Sequence, residues 1–218
     1  MFSTAIFDWD GTLADTHKVI LISFQKALSE VGCKVTDEFV ERRIGIGAAE
    51  TFREILQSTN TSFSESLVGC LVDRKSELEI ELADQVELFE GARGLLEELQ
   101  GKVKVGLASM NNAAVISYML RQMDLEKYFQ VVLTAESIVC SKPDPEIFLK
   151  TAQRLNSRPE RCVVFEDSIF GVKAAKAAGM GCVAVTTGVY SKEELEFEKP
   201  SLTVKSLVDL RIVPFILR

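Results

Sequence analysis

Two carboxylates follow directly after a short apolar run near the start of the chain. The run 4–7 ends before Asp8, and Asp10 comes two residues later, with Trp9 between them and Gly11 behind. Side chains alternate between the two faces of a strand, so Asp8 and Asp10 share one face if the chain stays extended. Neighbouring carboxylates that lose hydration repel each other, and they call for a cation or a shared proton. The pair therefore predicts a functional site.

Four more short apolar runs predict a parallel sheet. They span 103–108, 130–133, 162–165 and 181–185, and each is continuously apolar rather than alternating. Segments with apolar residues three or four positions apart lie around them and predict helices at 92–100, 113–122, 145–155 and 169–178. This pattern indicates an α/β fold, in which helices cover both faces of a parallel sheet.

Polar residues follow three of these later runs. Ser109 and Asn111 follow the run 103–108, and Lys142 lies after the run 130–133. Glu166 and Asp167 follow the run 162–165. Each has an ordinary structural alternative: a helix cap for Asn111, a solvated loop cation for Lys142 and surface charge for Glu166. Ligands bind at the carboxyl ends of parallel strands, where these residues would meet Asp8. Carboxylates, a hydroxyl and an ammonium together favour a site for Mg²⁺ and a phosphoryl group.

About ninety residues separate the first two predicted strands, which is far more than an ordinary connection needs. Helical periodicity at 16–31, 50–58 and 63–82 predicts a small helical bundle, with Asp15 or Thr16 and Ser62 as candidate N-caps. We therefore divide the chain into a core domain of residues 1–14 and 86–218 and a helical domain of residues 15–85. A helical domain inserted just after the acid pair is placed to act as a lid.

The composition excludes several classes of function. Of 218 residues, 47% are hydrophobic and 26% are charged, and the formal net charge is −7. An acidic chain without clustered Lys and Arg lacks the charge that nucleic-acid phosphates require. No apolar run is long enough to span a bilayer. Five cysteines without a CxxC pair, and an acid pair too early for a signal peptide, predict reduced thiols and a cytoplasmic protein.

These motifs together resemble the haloacid dehalogenase superfamily, in the branch of phosphatases and phosphomutases that carry an α-helical cap after the first strand. The resemblance implies a Rossmann-like core and covers nearly the whole chain. It rests on the segments 7–13, 108–109, 141–148, 165–168 and 171–180.

The resemblance also implies a role for each acid. Asp8 would be the nucleophile that forms an aspartyl phosphate, and Asp10 would protonate the leaving oxygen and later activate water. Mg²⁺ would be held by Asp8, the Asp10 backbone carbonyl and Asp167, with Glu166 binding directly or through water. Asp10 favours phosphoryl chemistry, because the dehalogenases of this fold lack the second acid.

The same resemblance assigns the phosphoryl oxygens to Ser109 and Lys142, and Asn111 occupies a position that often helps to bind phosphate in relatives. These assignments predict a Mg²⁺-dependent phosphatase that hydrolyses a small phosphorylated metabolite. Phosphoglycolate, a small sugar phosphate and pyrophosphate are all candidates. The chain is compatible with a monomer or a homodimer, and its apolar run 212–217 either docks on the core or meets a partner, with docking favoured.

The helical insert contains the candidate substrate-binding residues. The stretch containing Arg43, Gly45 and Gly47 resembles the cap loop of phosphoglycolate phosphatases. Arg42 or Arg43 is a candidate for a substrate carboxylate, with a solvated arginine as the alternative.

Two competing functions are considered. Resemblance to β-phosphoglucomutases predicts a phosphosugar mutase, but these enzymes carry a cap histidine where this chain has Ile20. The only histidine, His17, is interpreted as a surface or lid residue. The other alternative is a non-catalytic binding protein on the same fold, against which the intact acid set argues.

Overall fold

A six-stranded parallel sheet forms the centre of the protein. A computed structural model describes residues 1–217. The strands are β1 (Thr4–Phe7), β4 (Lys104–Ala108), β5 (Val131–Leu133), β6 (Cys162–Glu166), β7 (Gly181–Val185) and β8 (Leu202–Val204). Their order in the sheet is β5-β4-β1-β6-β7-β8, and every pairing is parallel. This confirms the predicted α/β class.

The register of the central strands brings their polar ends together. Phe7 of β1 lies opposite Leu107 of β4 and Phe165 of β6. The residues that follow each of these positions therefore emerge at the same edge of the sheet, as the carboxyl ends of parallel strands do.

Six helices cover the two faces of this sheet. They are α5 (Ala92–Leu99), α6 (Ala113–Gln122), α7 (Glu146–Arg154), α8 (Ile169–Ala177), α9 (Lys192–Phe197) and α10 (Ile212–Leu217). Helices α5, α6 and α10 share one apolar core with Ala5 and Phe7, whereas α7, α8 and α9 share another with Ile6. Successive residues of β1 thus serve opposite faces, which explains why the strand is apolar throughout.

The apolar run near the C-terminus docks on the core, as favoured by the sequence. Ile212 and Ile216 of α10 are fully buried. The Phe2 amide donates a hydrogen bond of 2.9 Å to the Ile216 carbonyl, and the Phe2 and Phe215 rings lie 5.3 Å apart.

Four helices, which we call the cap, lie between the first strand and α5. They are α1 (His17–Glu30), α2 (Asp37–Glu41), α3 (Ala48–Ser58) and α4 (Glu65–Glu81). The cap has its own apolar core, in which the rings of Phe24 and Phe52 lie 4.6 Å apart. The short helix α2 was not predicted, because five residues are too few to display helical periodicity.

The N-cap residue predicted for α4, the third long helix of the insert, was wrong. Ser64, not Ser62, caps α4, and its side chain accepts a hydrogen bond from the Leu67 amide. At the start of α1, Thr16 occupies the N-cap position, but its hydroxyl bonds elsewhere.

Two short strands carry the chain into and out of the cap. They are β2 (Ala14–Asp15) and β3 (Glu87–Leu88), and they pair antiparallel. The Phe89 amide adds a hydrogen bond of 3.0 Å to the Leu13 carbonyl. The two crossings therefore lie side by side in one ribbon, close to the predicted domain boundaries.

Among residues 1–217, no helix is long enough and apolar enough to span a bilayer.

Candidate active site

Lys142 and Asp8 form the buried centre of the site at the carboxyl edge of the sheet. Asp8 follows β1, and its amide donates a hydrogen bond of 3.0 Å to the Phe165 carbonyl of β6. The Lys142 ammonium donates to Asp8 Oδ1 at 2.6 Å and to Glu166 Oε1 at 2.5 Å. Since Lys142 is only 1% exposed, the alternative of a solvated loop cation does not hold.

Three buried carboxylates surround this ammonium. Asp8, Glu166 and Asp167 each present an oxygen, and these oxygens all lie within 4.8 Å of one another. Burial, together with repulsion from the neighbouring acids, raises the pKa of both Asp8 and Asp167 well above its usual value. Burial lowers the pKa of Lys142, but attraction to Asp8 and Glu166 outweighs this effect and raises it. One ammonium leaves the three carboxylates with excess negative charge, which suits a divalent cation bound by oxygen.

Glu166 is held by more contacts than the sequence indicated. Its Oε2 accepts hydrogen bonds of 3.2 Å from the Asp167 and Ser168 amides and of 3.0 Å from the Ser168 hydroxyl. Its Oε1 accepts from Lys142. With both oxygens engaged, Glu166 fixes the position of the ammonium, and it is buried rather than a surface charge.

Glycines make room for the acid cluster. A Cβ atom at Gly11 or Gly188 would lie 2.3 Å or 1.9 Å from Asp167 Oδ2. A Cβ at Gly171 would lie 1.8 Å from the carboxyl carbon of Glu166. Backbone therefore packs directly on both carboxylates, and larger residues would displace them.

Asp10 faces a second group of polar side chains. The Thr16 hydroxyl donates to Asp10 Oδ1 at 2.8 Å. The Ser109 hydroxyl donates to Asp10 Oδ2, and the Asn111 side-chain amide donates to Asp10 Oδ1, at 3.4 Å each. Ser109 and Asn111 are buried and follow β4. The structure thus brings the predicted phosphate-binding residues beside the acid pair.

A small cavity lies between this edge and the cap. Its volume is about 30 Å³, and its lining includes Asp8, Asp10, Ile20, Phe24, Arg43, Gly45, Gly47, Lys75 and Asn111. The three cap-loop residues singled out from the sequence, Arg43, Gly45 and Gly47, thus face the acid pair. A space of this size holds little more than a water molecule, which is less than the volume of a phosphate ester.

Two buried charged residues of the cap, one of them in the cavity lining, were not identified from the sequence. Lys75 and Glu79 of α4 are 3% and 1% exposed, and Lys75 Nζ lies 2.8 Å from Glu79 Oε2. The ammonium also donates to Asn111 Oδ1 at 3.3 Å. Burial raises the pKa of Glu79. The sequence signal that could have identified Lys75 is its position on the apolar face of α4, in line with Leu71 and Leu78.

Arg42 and His17 lie outside the cavity lining. The Arg42 guanidinium bonds to Glu194 of α9 at 2.5 Å and lies 4.4 Å from the Tyr190 ring centroid, so it joins the cap to the core. His17 Nε2 lies 3.5 Å from Glu41 within the cap, and the side chain is 38% exposed. Ile20, in contrast, is buried in the lining.

Comparison with known proteins supports the same fold. A family model described as haloacid dehalogenase-like hydrolase matches residues 5–185. A phosphorylated carbohydrates phosphatase of Thermotoga maritima is 34% identical over 177 residues, 80% of this chain and 81% of that protein. A fructose-1-phosphate phosphatase of Escherichia coli is 29% identical over 185 residues, 84% and 96% of the two chains. The crystal structure of a β-phosphoglucomutase from Clostridium difficile is 28% identical, with a TM-score of 0.87 and coverage of 100% of this chain and 97% of that one.

Proposed function

Because this chain belongs to the haloacid dehalogenase-like hydrolase family, we propose that it hydrolyses a small phosphomonoester in a Mg²⁺-dependent reaction through an aspartyl phosphate. The observation that carries this proposal is the buried cluster in which Lys142 bridges Asp8 and Glu166, with Asp167 beside them. Three carboxylates and one ammonium are suited to a divalent cation and a dianionic phosphoryl group.

The acid cluster fits Mg²⁺ in the chemistry of its donors. Asp8, Asp167 and the Asp10 backbone carbonyl would hold the ion, since Glu166 is engaged by Lys142 and by Ser168. The excess negative charge that raises the pKa values of Asp8 and Asp167 supports this assignment. The bound ion would supply positive charge to the phosphoryl oxygens.

In the first half of the reaction, an Asp8 carboxylate oxygen attacks phosphorus. The new bond joins Asp8 to phosphorus, and the bond from phosphorus to the ester oxygen breaks. Asp10 gives its proton to the departing oxygen and so releases an alcohol. The Lys142 ammonium, 2.6 Å from Asp8, favours the ionised form of the nucleophile and would balance charge on the phosphoryl oxygens.

In the second half, Asp10 takes a proton from water as that water attacks phosphorus. The bond from phosphorus to Asp8 breaks, inorganic phosphate leaves and Asp10 is protonated again. Ser109 and Asn111, which already face Asp10, would hold phosphoryl oxygens during both halves.

Two similarities favour a phosphorylated carbohydrate as substrate class. The relatives from Thermotoga maritima and Escherichia coli carry the names of carbohydrate phosphatases.

Ile20, which replaces the histidine expected of a mutase, provides no proton-transfer group in the lining. We therefore prefer hydrolysis to isomerisation, although a β-phosphoglucomutase has the same fold.

The proposal is tested by hydrolysis of p-nitrophenyl phosphate with and without Mg²⁺. We expect activity that EDTA abolishes and Mg²⁺ restores, and that Asp8→Asn lowers by about a thousandfold or more. Asp73→Asn, the same change at an exposed position on α4, is the matched control and should leave the rate unchanged. Full activity of Asp8→Asn would refute the mechanism.

The intermediate is tested with an added alcohol acceptor. If all substrates pass through one phosphoenzyme, the ratio of phosphorylated alcohol to inorganic phosphate is the same for every leaving group. A ratio that changes with the leaving group would indicate direct transfer to water and would contradict the aspartyl phosphate.

A further inference from the structure

The cap presents two cations to the cavity, and both are already paired with glutamates. Arg43 and Lys75 line the cavity opposite Asp8 and Asp10. The partner of Arg43 is Glu54 of α3, and the partner of Lys75 is Glu79. The cap side of the cavity therefore carries little net positive charge.

The pairing of Lys75 with Glu79 is the more consequential of the two. Both side chains are almost completely buried on neighbouring turns of α4, and their charged atoms are 2.8 Å apart. Because both groups are shielded from solvent, this ion pair is screened much less than an exposed pair, and Glu79 offsets the charge of Lys75. Lys75 also donates to Asn111 Oδ1, which leaves at most one of its three N–H groups for a ligand.

Arg43 is similarly engaged, though less deeply buried. Its guanidinium donates to the Glu54 carboxylate and, at 3.0 Å, to the Phe39 carbonyl. It also lies 3.5 Å from the centroid of the Phe39 ring. The Glu54 side chain is 39% exposed, so solvent weakens this pair and Glu79 is the stronger determinant.

The remaining cap groups in the lining are uncharged. Ile20, Phe24, Ile44 and Ala48 are apolar, and the Thr51 hydroxyl donates to the Gly47 carbonyl at 2.9 Å. A carboxylate or a second phosphate placed in this space would lose hydration without gaining an unpaired cation. A hydroxyl group would lose far less and could still accept from Lys75.

We infer that Glu79 is a specificity-determining residue that neutralises Lys75 and thereby restricts the enzyme to phosphomonoesters with an uncharged, hydroxylated leaving group. The inference rests on the proposed function, and it excludes phosphoglycolate and pyrophosphate from the candidates. Glu79 acts through Lys75 and is a positioning residue rather than a catalytic one.

The test compares glycerol phosphate with phosphoglycerate, which differ only by a hydroxymethyl group in place of a carboxylate. We expect the wild-type enzyme to favour glycerol phosphate in kcat/KM by about tenfold or more. In Glu79→Gln the unpaired Lys75 ammonium should raise the phosphoglycerate to glycerol phosphate ratio by about tenfold, mainly through a lower KM for phosphoglycerate.

Two further variants separate charge in the cavity from other effects. Lys75→Met combined with Glu79→Gln is again neutral, so its ratio should return to within about twofold of wild type. Glu77→Gln makes the same change of charge on the exposed side of α4, where 64% of the side chain is exposed, and should leave the ratio unchanged.

The outcomes distinguish this inference from the proposed function. Hydrolysis of neither ester, nor of any other phosphomonoester, would overturn the proposed function. A wild-type preference for phosphoglycerate would overturn the inference alone, even if Glu79→Gln fails to fold. Hydrolysis of both esters with the same ratio in wild type and Glu79→Gln would also overturn it.

Discussion

Replacing Lys142 with methionine should destabilise the protein far more than an ordinary lysine substitution. The ammonium donates to Asp8 at 2.6 Å and to Glu166 at 2.5 Å, and it is buried. Removing one partner of a buried ion pair leaves the other charge without compensation, which costs about 3–5 kcal/mol. For a chain of this size, each kcal/mol changes Tm by about 2–4 °C, so the expected loss is about 6–20 °C.

Lys150→Met provides the matched control. Lys150 Nζ lies 2.6 Å from Glu146, but the lysine side chain is 40% exposed. An exposed pair contributes about 0–1 kcal/mol, so Tm should fall by only a few degrees. Thermal unfolding in EDTA measures both variants. Equal losses of Tm in the two variants would refute the argument that burial of Lys142 and its ion pairs determines its contribution to stability.

The pH dependence of the Lys142→Met effect has a definite sign. The pKa values of Asp8 and Asp167 lie above their usual values, so these carboxyls bind protons at a higher pH when folded than when unfolded. A raised carboxyl pKa destabilises the fold above that pKa and has no effect below the unfolded pKa. The Tm difference from wild type should therefore be largest near neutral pH and should shrink as the pH is lowered. Added Mg²⁺ should restore part of the lost Tm at neutral pH.

Three further outcomes are expected. Gly171→Ala places a Cβ atom 1.8 Å from the Glu166 carboxyl carbon, so it should lower stability by about 1–3 kcal/mol and reduce kcat, measured by denaturant unfolding and phosphatase assay. Glu194→Gln removes the charged partner of Arg42, so a protease should cleave the cap of the variant faster than the cap of the wild-type protein. High salt screens this ion pair and should abolish the difference in cleavage rate. A thiol reagent should react with two cysteines in the native protein, Cys70 and Cys140, and with all five after denaturation.

Much of the sheet could be predicted from the sequence because its strands are buried on both faces. The run 162–165 is apolar at every position, and in the structure it is buried at every position. Strand β8 was missed for the opposite reason. Only Val204 of its three residues is buried, so the segment carries no continuous apolar signal.

The residues from the core strands were predictable because strand order places them, whereas the contribution of the cap was not. Asp8 and Lys142 are 134 positions apart, yet Asp8 directly follows β1 and Lys142 lies in the connection that follows β5, at the same edge of the sheet. Lys75 and Glu79 have the spacing of an ordinary exposed helical ion pair, and their burial depends on how α4 packs over Asn111. The sequence also left Arg43 as a candidate for a substrate carboxylate, but its bond to Glu54 appears only in three dimensions.

The ribbon of β2 and β3 ties together the two connections between the cap and the core. Because the strands that enter and leave the cap are hydrogen-bonded to each other, the two chain crossings lie side by side. Thr16 follows β2 directly, and its hydroxyl donates to Asp10 Oδ1 at 2.8 Å. The Asp8 backbone amide instead donates to the Phe165 carbonyl of β6. The junction between cap and core therefore helps to position one carboxylate of the pair, whereas the sheet positions the other.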